Sequence, residues 1–272
     1  WQSYIKFGDV ADEAFLNCIK LMMPIECGEI LKNGGTNVTH KIGKYAFGNC
    51  YELTIIVCGG SDIHQEAFND CDKVHFLTWL GGTSSITSET NSPFYSMRYS
   101  LVVVSIYGSV PDYYFRNFQN LTTVIMDADI WSYANVYTTS IGRYAFSGCP
   151  NLSYVSIGGK VDGNAFYDSP NISSVYWRGG DPGITASNMS IFRSSADKIT
   201  TFKFESTSGG CSVPNYICAG LTAIKKISIP ANTGGKIGQS AFAECTALET
   251  VNFEDGIDNY YTEIDRYAFQ KC

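Results

Sequence analysis

Charge is scarce in this chain of 272 residues: 19 Lys and Arg stand against 26 Asp and Glu, for a formal net charge of −7, and no basic cluster or tail occurs. Neutralising a phosphate backbone takes clustered Lys and Arg, so no nucleic-acid partner is expected. Long apolar runs are missing too. The longest purely aliphatic stretch, Leu101 to Val104, is far too short to cross a bilayer, so no transmembrane segment is expected. The chain opens on Trp1 without a charged-then-apolar leader, and the expectation is that the native N-terminus and any targeting peptide lie outside it. Signatures of catalysis are equally absent: there is no Gly-x-Ser-x-Gly elbow, phosphate loop or dinucleotide fingerprint. No Cys-x-x-Cys or matching His pair offers a zinc site, and His40, His64 and His75 read as solvated surface residues. What the chain does have is 44% hydrophobic and 14% aromatic residues, enough to exclude disorder and to bury a large core.

One dipeptide organises the rest. Ala-Phe occurs with its Phe at 15, 47, 68, 146, 166, 242 and 269, each time with Val or Ile five residues earlier. Three residues after the Phe stands Cys18, Cys50, Cys71, Cys149, Cys245 or Cys272, with Ser169 as the exception; an aliphatic residue follows at Phe+6 and then an alternating apolar pair such as Val155 and Ile157. Units around Phe115 and Cys218 keep the other slots, and units around Phe94 and Phe192 fit with one inserted residue, which makes eleven anchors spaced 20 to 32 residues apart. Periods of this length mean a solenoid. The spacing 32-21-26 recurs as 31-20-26, and Trp79, Gly81-Gly82 and Phe94 match Trp177, Gly179-Gly180 and Phe192 at a constant offset of 98. A single domain over 1–272 is therefore expected, with super-repeat copies at about 7–106, 107–209 and 210–272, the last incomplete, and the chain is expected to be a fragment of a longer array.

Phe and Cys three apart, with Ala beside the Phe, place two apolar groups on one side of a single helical or 3₁₀ turn. The β-branched pair after it, often closed by Gly-Gly, reads as a short strand. Strands joined by such crossovers lie parallel, so the expected fold is a solenoid with a parallel β-sheet on one face and turns and loops on the other. In the first unit Pro24 falls in a core slot, which predicts an irregular sheet edge.

These residues resemble the BspA-type leucine-rich repeat, whose unit reads Ile-Gly-x-x-Ala-Phe-x-x-Cys-x-x-Leu-x-x-Ile-x-Ile. The clearest matches run from Ile141-Gly142 through Ala145-Phe146 and Cys149 to Leu152, Val155 and Ile157, and from Ile237-Gly238 through Cys245 to Leu248. The resemblance implies a secreted or cell-surface protein, because members of this family are similar surface proteins of mucosa-associated bacteria and some parasitic protists, several of them implicated in adhesion to host matrix proteins.

The ten cysteines invite a disulfide framework, but the repeat favours buried free thiols acting as small hydrophobes, with Cys27 and Cys211 in connections as the candidates for oxidation. Asp127 and Asp129 form a lone acidic pair, weak against the needs of a calcium loop. Of five glycosylation sequons, three repeat a turn slot, leaving Asn37 and Asn188 as acceptors if the source is eukaryotic. No cofactor, metal or catalytic residue is expected. Binding is expected on outward strand positions, which by register include Met23, Ile25, Ile55, Val57, Phe76, Val103, Ile125, Tyr154 and Tyr176, apolar in the first half of the chain and polar to slightly basic in the second. A register slip of one would swap the faces. Trp131, Tyr133 and Tyr137, on the long connection after Met126, form a second candidate. The expected function is a non-enzymatic binding or adhesion protein that presents a solenoid face to a host or matrix protein or to a glycan. Alternatives are a structural spacer or scaffold displaying another domain and, more remotely, a glycan hydrolase.

Overall fold

The alternating pair that ends each unit becomes one short strand. A computed structural model describes residues 5–29, 38–60, 62–82, 86–126, 139–186, 190–205, 212–230, 233–253 and 260–272. Eleven strands follow one another in chain order in a single sheet, each parallel to the next: Ile5–Phe7, Ile25–Glu29, Ile55–Cys58, Phe76–Trp79, Val103–Ile106, Thr123–Met126, Tyr154–Ile157, Ser174–Trp177, Thr201–Phe204, Lys226–Ile229 and Thr250–Phe253. Parallel neighbours need a crossover connection, and here turns supply it rather than helices. The Val or Ile five residues before each Phe builds a second, narrower parallel ladder, seen in the bridges Val10 to Ile42 to Ile63, Val110 to Ile141 and Val213 to Ile237. Val38–Thr39 adds an antiparallel pairing on Gly28 and Glu29.

Between the two ladders the Phe slots stack. The rings of Phe15, Phe47, Phe68, Phe94, Phe115, Phe146, Phe166 and Phe192 follow one another at centroid separations of 5.1 to 5.9 Å. From Phe47 onward they are fully buried, each stabilising the fold by about 1.5–3 kcal/mol. The column is interrupted at Cys218; Phe204 there takes up an edge contact with Phe242 at 6.2 Å.

The Cys slot is more specific than a small hydrophobe. The thiols of Cys50, Cys71, Cys149 and Cys245 donate to the carbonyls of Phe15, Phe47, Phe115 and Cys218 at 3.0 to 3.3 Å. The hydroxyl of Ser169 makes the same bond to the Phe146 carbonyl at 2.8 Å, and that of Ser195 also reaches back one unit, to the carbonyl of Ser169. Where the slot holds Cys or Ser it supplies a compact donor that reaches back one unit, which is why Ser substitutes for Cys there; Met97, Phe118 and Leu221 fill the same slot by packing alone. The nine described cysteines are all free, and burial pushes the Cys149 and Cys245 thiols up to about 12.

Three expectations need correction. Most turns around the Phe are not helical or 3₁₀: residues two before and two after the Phe take left-handed φ, as at Tyr113 (62°), Asn117 (62°), Tyr144 (55°) and Gly148 (65°). Among the described residues, 3₁₀ structure is confined to Glu89–Asn91, Tyr95–Tyr99 and Arg193–Ser195. The left-handed residues let alternate N–H groups donate to the next unit, as in Tyr113 to Arg143, Phe115 to Ala145 and Asn117 to Ser147 at 2.8 to 3.0 Å. Those ladder bonds offset a conformational cost of about 1–2 kcal/mol per non-glycine residue.

The other two corrections concern the first unit. Ile25 pairs in register with Ile56 and is fully buried, so it faces the core and not the surface. Pro24 stands just before the strand, and Cys27, aligned with Cys58, is a core residue rather than part of a connection. The physical reason is one extra residue between Phe15 and the strand, the same insertion carried by the units of Phe94 and Phe192.

The register linking the first and second units of a copy has a recurring lock. The carboxylates of Asp12 and Asp112 and the side-chain amide oxygen of Asn215 accept from the backbone N–H of Lys44, Arg143 and Gln239 at 2.7 to 2.8 Å. At Gly43, Gly142 and Gly238, just before those N–H groups, a Cβ would run into the locking side chain and its backbone.

Candidate binding surface

Period-two alternation sends every second strand residue outward, and past the first unit the burial pattern follows the register expected from sequence. In the first half of the sheet the outward residues are mainly apolar, with Thr78, Ser105 and Thr123 among them. Phe76 is 49% and Tyr154 37% exposed, with Ile55, Val103 and Ile125 half-buried around them. Val57 also points outward but is covered, packing beneath Leu80 and Tyr107 in a small cluster separate from the main core; it supports this face and is not available on it. Trp131, Tyr133 and Tyr137 lie outside the described residues, as do Asn37, Asp127, Asp129, Asn188 and Cys211.

Midway along the sheet the chemistry changes. Arg178 lies over the Tyr176 ring at 4.5 Å, donates from Nε to Ser156 Oγ at 2.8 Å and pairs through Nη1 with Glu205 Oε1 at 3.1 Å. Ser156 is fully buried under this bridge. Beyond it stand the exposed side chains of Thr201, Lys203 and Lys226. Neither lysine makes an ion pair among the described residues, whereas Lys41, Lys44 and Lys73 are each paired with a carboxylate.

Sheet pairing is thinner at this place. Thr201–Phe204 keeps four register partners with Ser174–Trp177 on one side, but on the other only Lys203 pairs, with Ser228. The inward slots of this strand hold Phe202 and Phe204, whose rings lie 5.0 Å apart, where Lys226–Ile229 places Ile227 and Ile229. A groove of about 580 Å³ opens here, lined by Tyr176, Thr201, Lys203, Lys226 and Ser228. A second groove of about 560 Å³ lies on the narrow ladder between Asp9, Asp12, Lys41, Lys44, Asp62 and His64. Its lysines are engaged, Lys41 with Asp62 at 3.2 Å and Lys44 with Glu66 at 3.3 Å, so its charges satisfy one another.

The outward slots were legible from register alone. The groove was not, because it depends on a local loss of pairing; the signal available was the pair of Phe in inward slots next to a unit whose Phe is replaced by Cys218. Among the described residues no group of three His, Cys, Asp or Glu is placed to hold a metal, and no helix is long and apolar enough to cross a membrane.

Comparison with known proteins gives one family match. The model of the BspA type leucine rich repeat region matches residues 6–121, 40–173, 109–213 and 211–272. No curated protein matches the chain. Among solved structures, a leucine rich cell surface protein from Faecalibacterium prausnitzii A2-165 is similar at 19% identity over 94% of this chain and 80% of that one, with a TM-score of 0.27, a superposition too loose to carry shape or function across.

Proposed function

Because the chain belongs to the BspA-type leucine-rich repeat family, we propose that it is a non-enzymatic binding protein, secreted or displayed at a cell surface, that presents the outward face of its sheet to a host or matrix protein or to a glycan. The observation that carries this reading is the contrast within each strand. Inward residues recur from unit to unit, while outward residues differ at nearly every unit. A scaffold that holds its backbone constant and varies one face is built to display side chains, and an exposed apolar cluster on such a face is the usual mark of a partner site. Phe76 and Tyr154 are the anchors of that cluster, with Val103 and Ile125 on the two strands between them, Ile55 beside Phe76 on the preceding strand and Tyr176 at its polar border. The same reading takes 1–272 as one continuous domain in three copies, supported by the lock that recurs at Asp12, Asp112 and Asn215.

The test is a binding screen of the intact chain against immobilised extracellular-matrix proteins and a glycan array. A ligand lost on replacing Phe76 and Tyr154 by Ser, or on replacing the groove lysines, supports the reading. Silence across both screens, or a ligand indifferent to every outward substitution, overturns it.

A further inference from the structure

The groove beside Lys203 and Lys226 carries a narrower conclusion, which rests on the sheet face being a binding surface. In a chain of net charge −7, two exposed lysines stand on adjacent strands without a carboxylate partner among the described residues. Lys203 pairs with Ser228, two residues beyond Lys226 on the neighbouring strand, which makes the two lysines diagonal neighbours whose backbone roots lie roughly 7–8 Å apart. Two long, flexible side chains rooted that far apart can bring both ammonium groups to a single carboxylate without needing a long polyanion. Around them the lining is hydroxylic and aromatic: Thr201 and Ser228 offer donors and acceptors, and the Tyr176 ring, backed by Arg178 at 4.5 Å, forms one wall.

Each component selects against an alternative. The apolar side chains at the groove, Phe202, Phe204 and Pro230, are buried, so among the described residues no pocket is open to an aliphatic or aromatic peptide anchor. A nucleic acid would need more than two free cations. Screening confines electrostatics to about 8 Å at physiological salt, so the local pair of lysines decides the sign of the site and the distant net charge does not. A ring with an apolar face for Tyr176, several hydroxyls for Thr201 and Ser228, and one carboxylate for the lysines matches all three. We propose that this groove binds a carboxylate-bearing glycan, with uronic-acid oligosaccharides as the ligand class.

The experiment uses the intact chain and fluorescently labelled oligogalacturonate, with the corresponding neutral oligogalactose and a short poly-glutamate peptide as comparison probes, read by polarisation. Oligogalacturonate is expected to bind in preference to both. Lys203→Gln and Lys226→Gln should each weaken binding about tenfold, the size of a lost hydrogen bond to a charged group. Lys203→Arg should retain it, and raising ionic strength from about 0.05 to about 0.3 M should weaken it. Lys20→Gln, an exposed lysine of the first unit remote from the groove, should leave it unchanged. Both lysines are exposed, and equal thermal unfolding of the variants checks that the fold is intact. The inference is overturned by absence of oligogalacturonate binding, by binding that ignores both Gln variants, or by poly-glutamate binding as tightly with the same lysine dependence. If a matrix protein still binds in a Phe76-dependent way while oligogalacturonate does not, only this inference fails and the reading of the face as a binding surface stands.

Discussion

Two columns run side by side along the sheet. The inward one passes through Ile56, Leu77, Val104, Val124, Val155, Val175, Phe202 and Ile227, all apolar and buried; the outward one, a single residue further on in each strand, passes through Val57, Thr78, Ser105, Ile125, Ser156, Tyr176, Lys203 and Ser228. The same backbone register and the same hydrogen bonds serve both. The inward column is held to one chemistry because each side chain must fill the space left by its neighbours above and below, at crystal-like density. Apart from Val57 and Ser156, which neighbouring side chains cover, the outward column is under no such demand, so it can hold aliphatic, hydroxylic and cationic groups in succession. Its variety is the part of the molecule free to serve a partner.

Substitutions should separate the columns by size of effect. The largest belongs to the Phe stack. Phe115→Ala would remove a ring lying 5.7 Å from Phe94 and 5.2 Å from Phe146 and should destabilise the chain by about 3–5 kcal/mol, measured as a shift in the urea unfolding midpoint. An effect no larger than that of an outward substitution would erase the distinction between the columns.

A smaller effect, dependent on pH, is expected at the Cys slot. Burial raises the Cys149 thiol from 9.0 to about 12, so the folded chain holds this proton more tightly than the unfolded one. The stability linked to it is complete below pH 9 and is lost as pH rises towards 12. Between pH 8 and 10 the wild type should lose about 1 kcal/mol through this group. Cys149→Ser keeps a donor for the Phe115 carbonyl, as Ser169 does for Phe146, and should not lose that increment. Denaturant midpoints of the two proteins at both pH values give the difference directly, and parallel pH profiles would show that the thiol does not ionise on unfolding.

The smallest change in stability is expected outward. Phe76→Ser, at 49% exposure, should stay within about 0.5 kcal/mol of the wild type while abolishing any partner held by the apolar half of the face. If unfolding shows it to be as damaging as Phe115→Ala, Phe76 is a core residue and the outward column is misassigned.

Most of this architecture was legible in the sequence because a repeat states the same rule many times. The anchors, the parallel order and the faces of nine of the eleven strands follow from slots seen in unit after unit. Ile25 shows where this fails: one inserted residue before the first strand slips the register locally, and a sequence offers no independent marker of where the extra residue is absorbed. The left-handed tyrosines were hidden for another reason. Tyr is not a residue expected at positive φ, and only the bonds made to the next unit justify it at Tyr113 and Tyr144. Val57 was correctly oriented but wrongly taken as accessible, since its cover comes from Leu80 and Tyr107 just beyond the ends of neighbouring strands.

The Ala-Phe peptide has one more consequence. The carbonyl of Ala46 accepts from Phe15 N–H while the N–H of Phe47, on the same peptide, donates to Ala67; Ala145 and Phe146 relay in the same way from Phe115 to Ala165, and Ala241 and Phe242 from Cys218 to Ala268. Each of these peptides points the same way along the array, so their dipoles add from unit to unit as they do along a helix axis, and each bond in such a chain polarises the next. Here the positive end faces the following unit, opposite to an α-helix. The rod thus has a direction as well as a length: a unit turned end for end would meet donor with donor, and only an insertion or deletion of a whole unit leaves the relay unbroken.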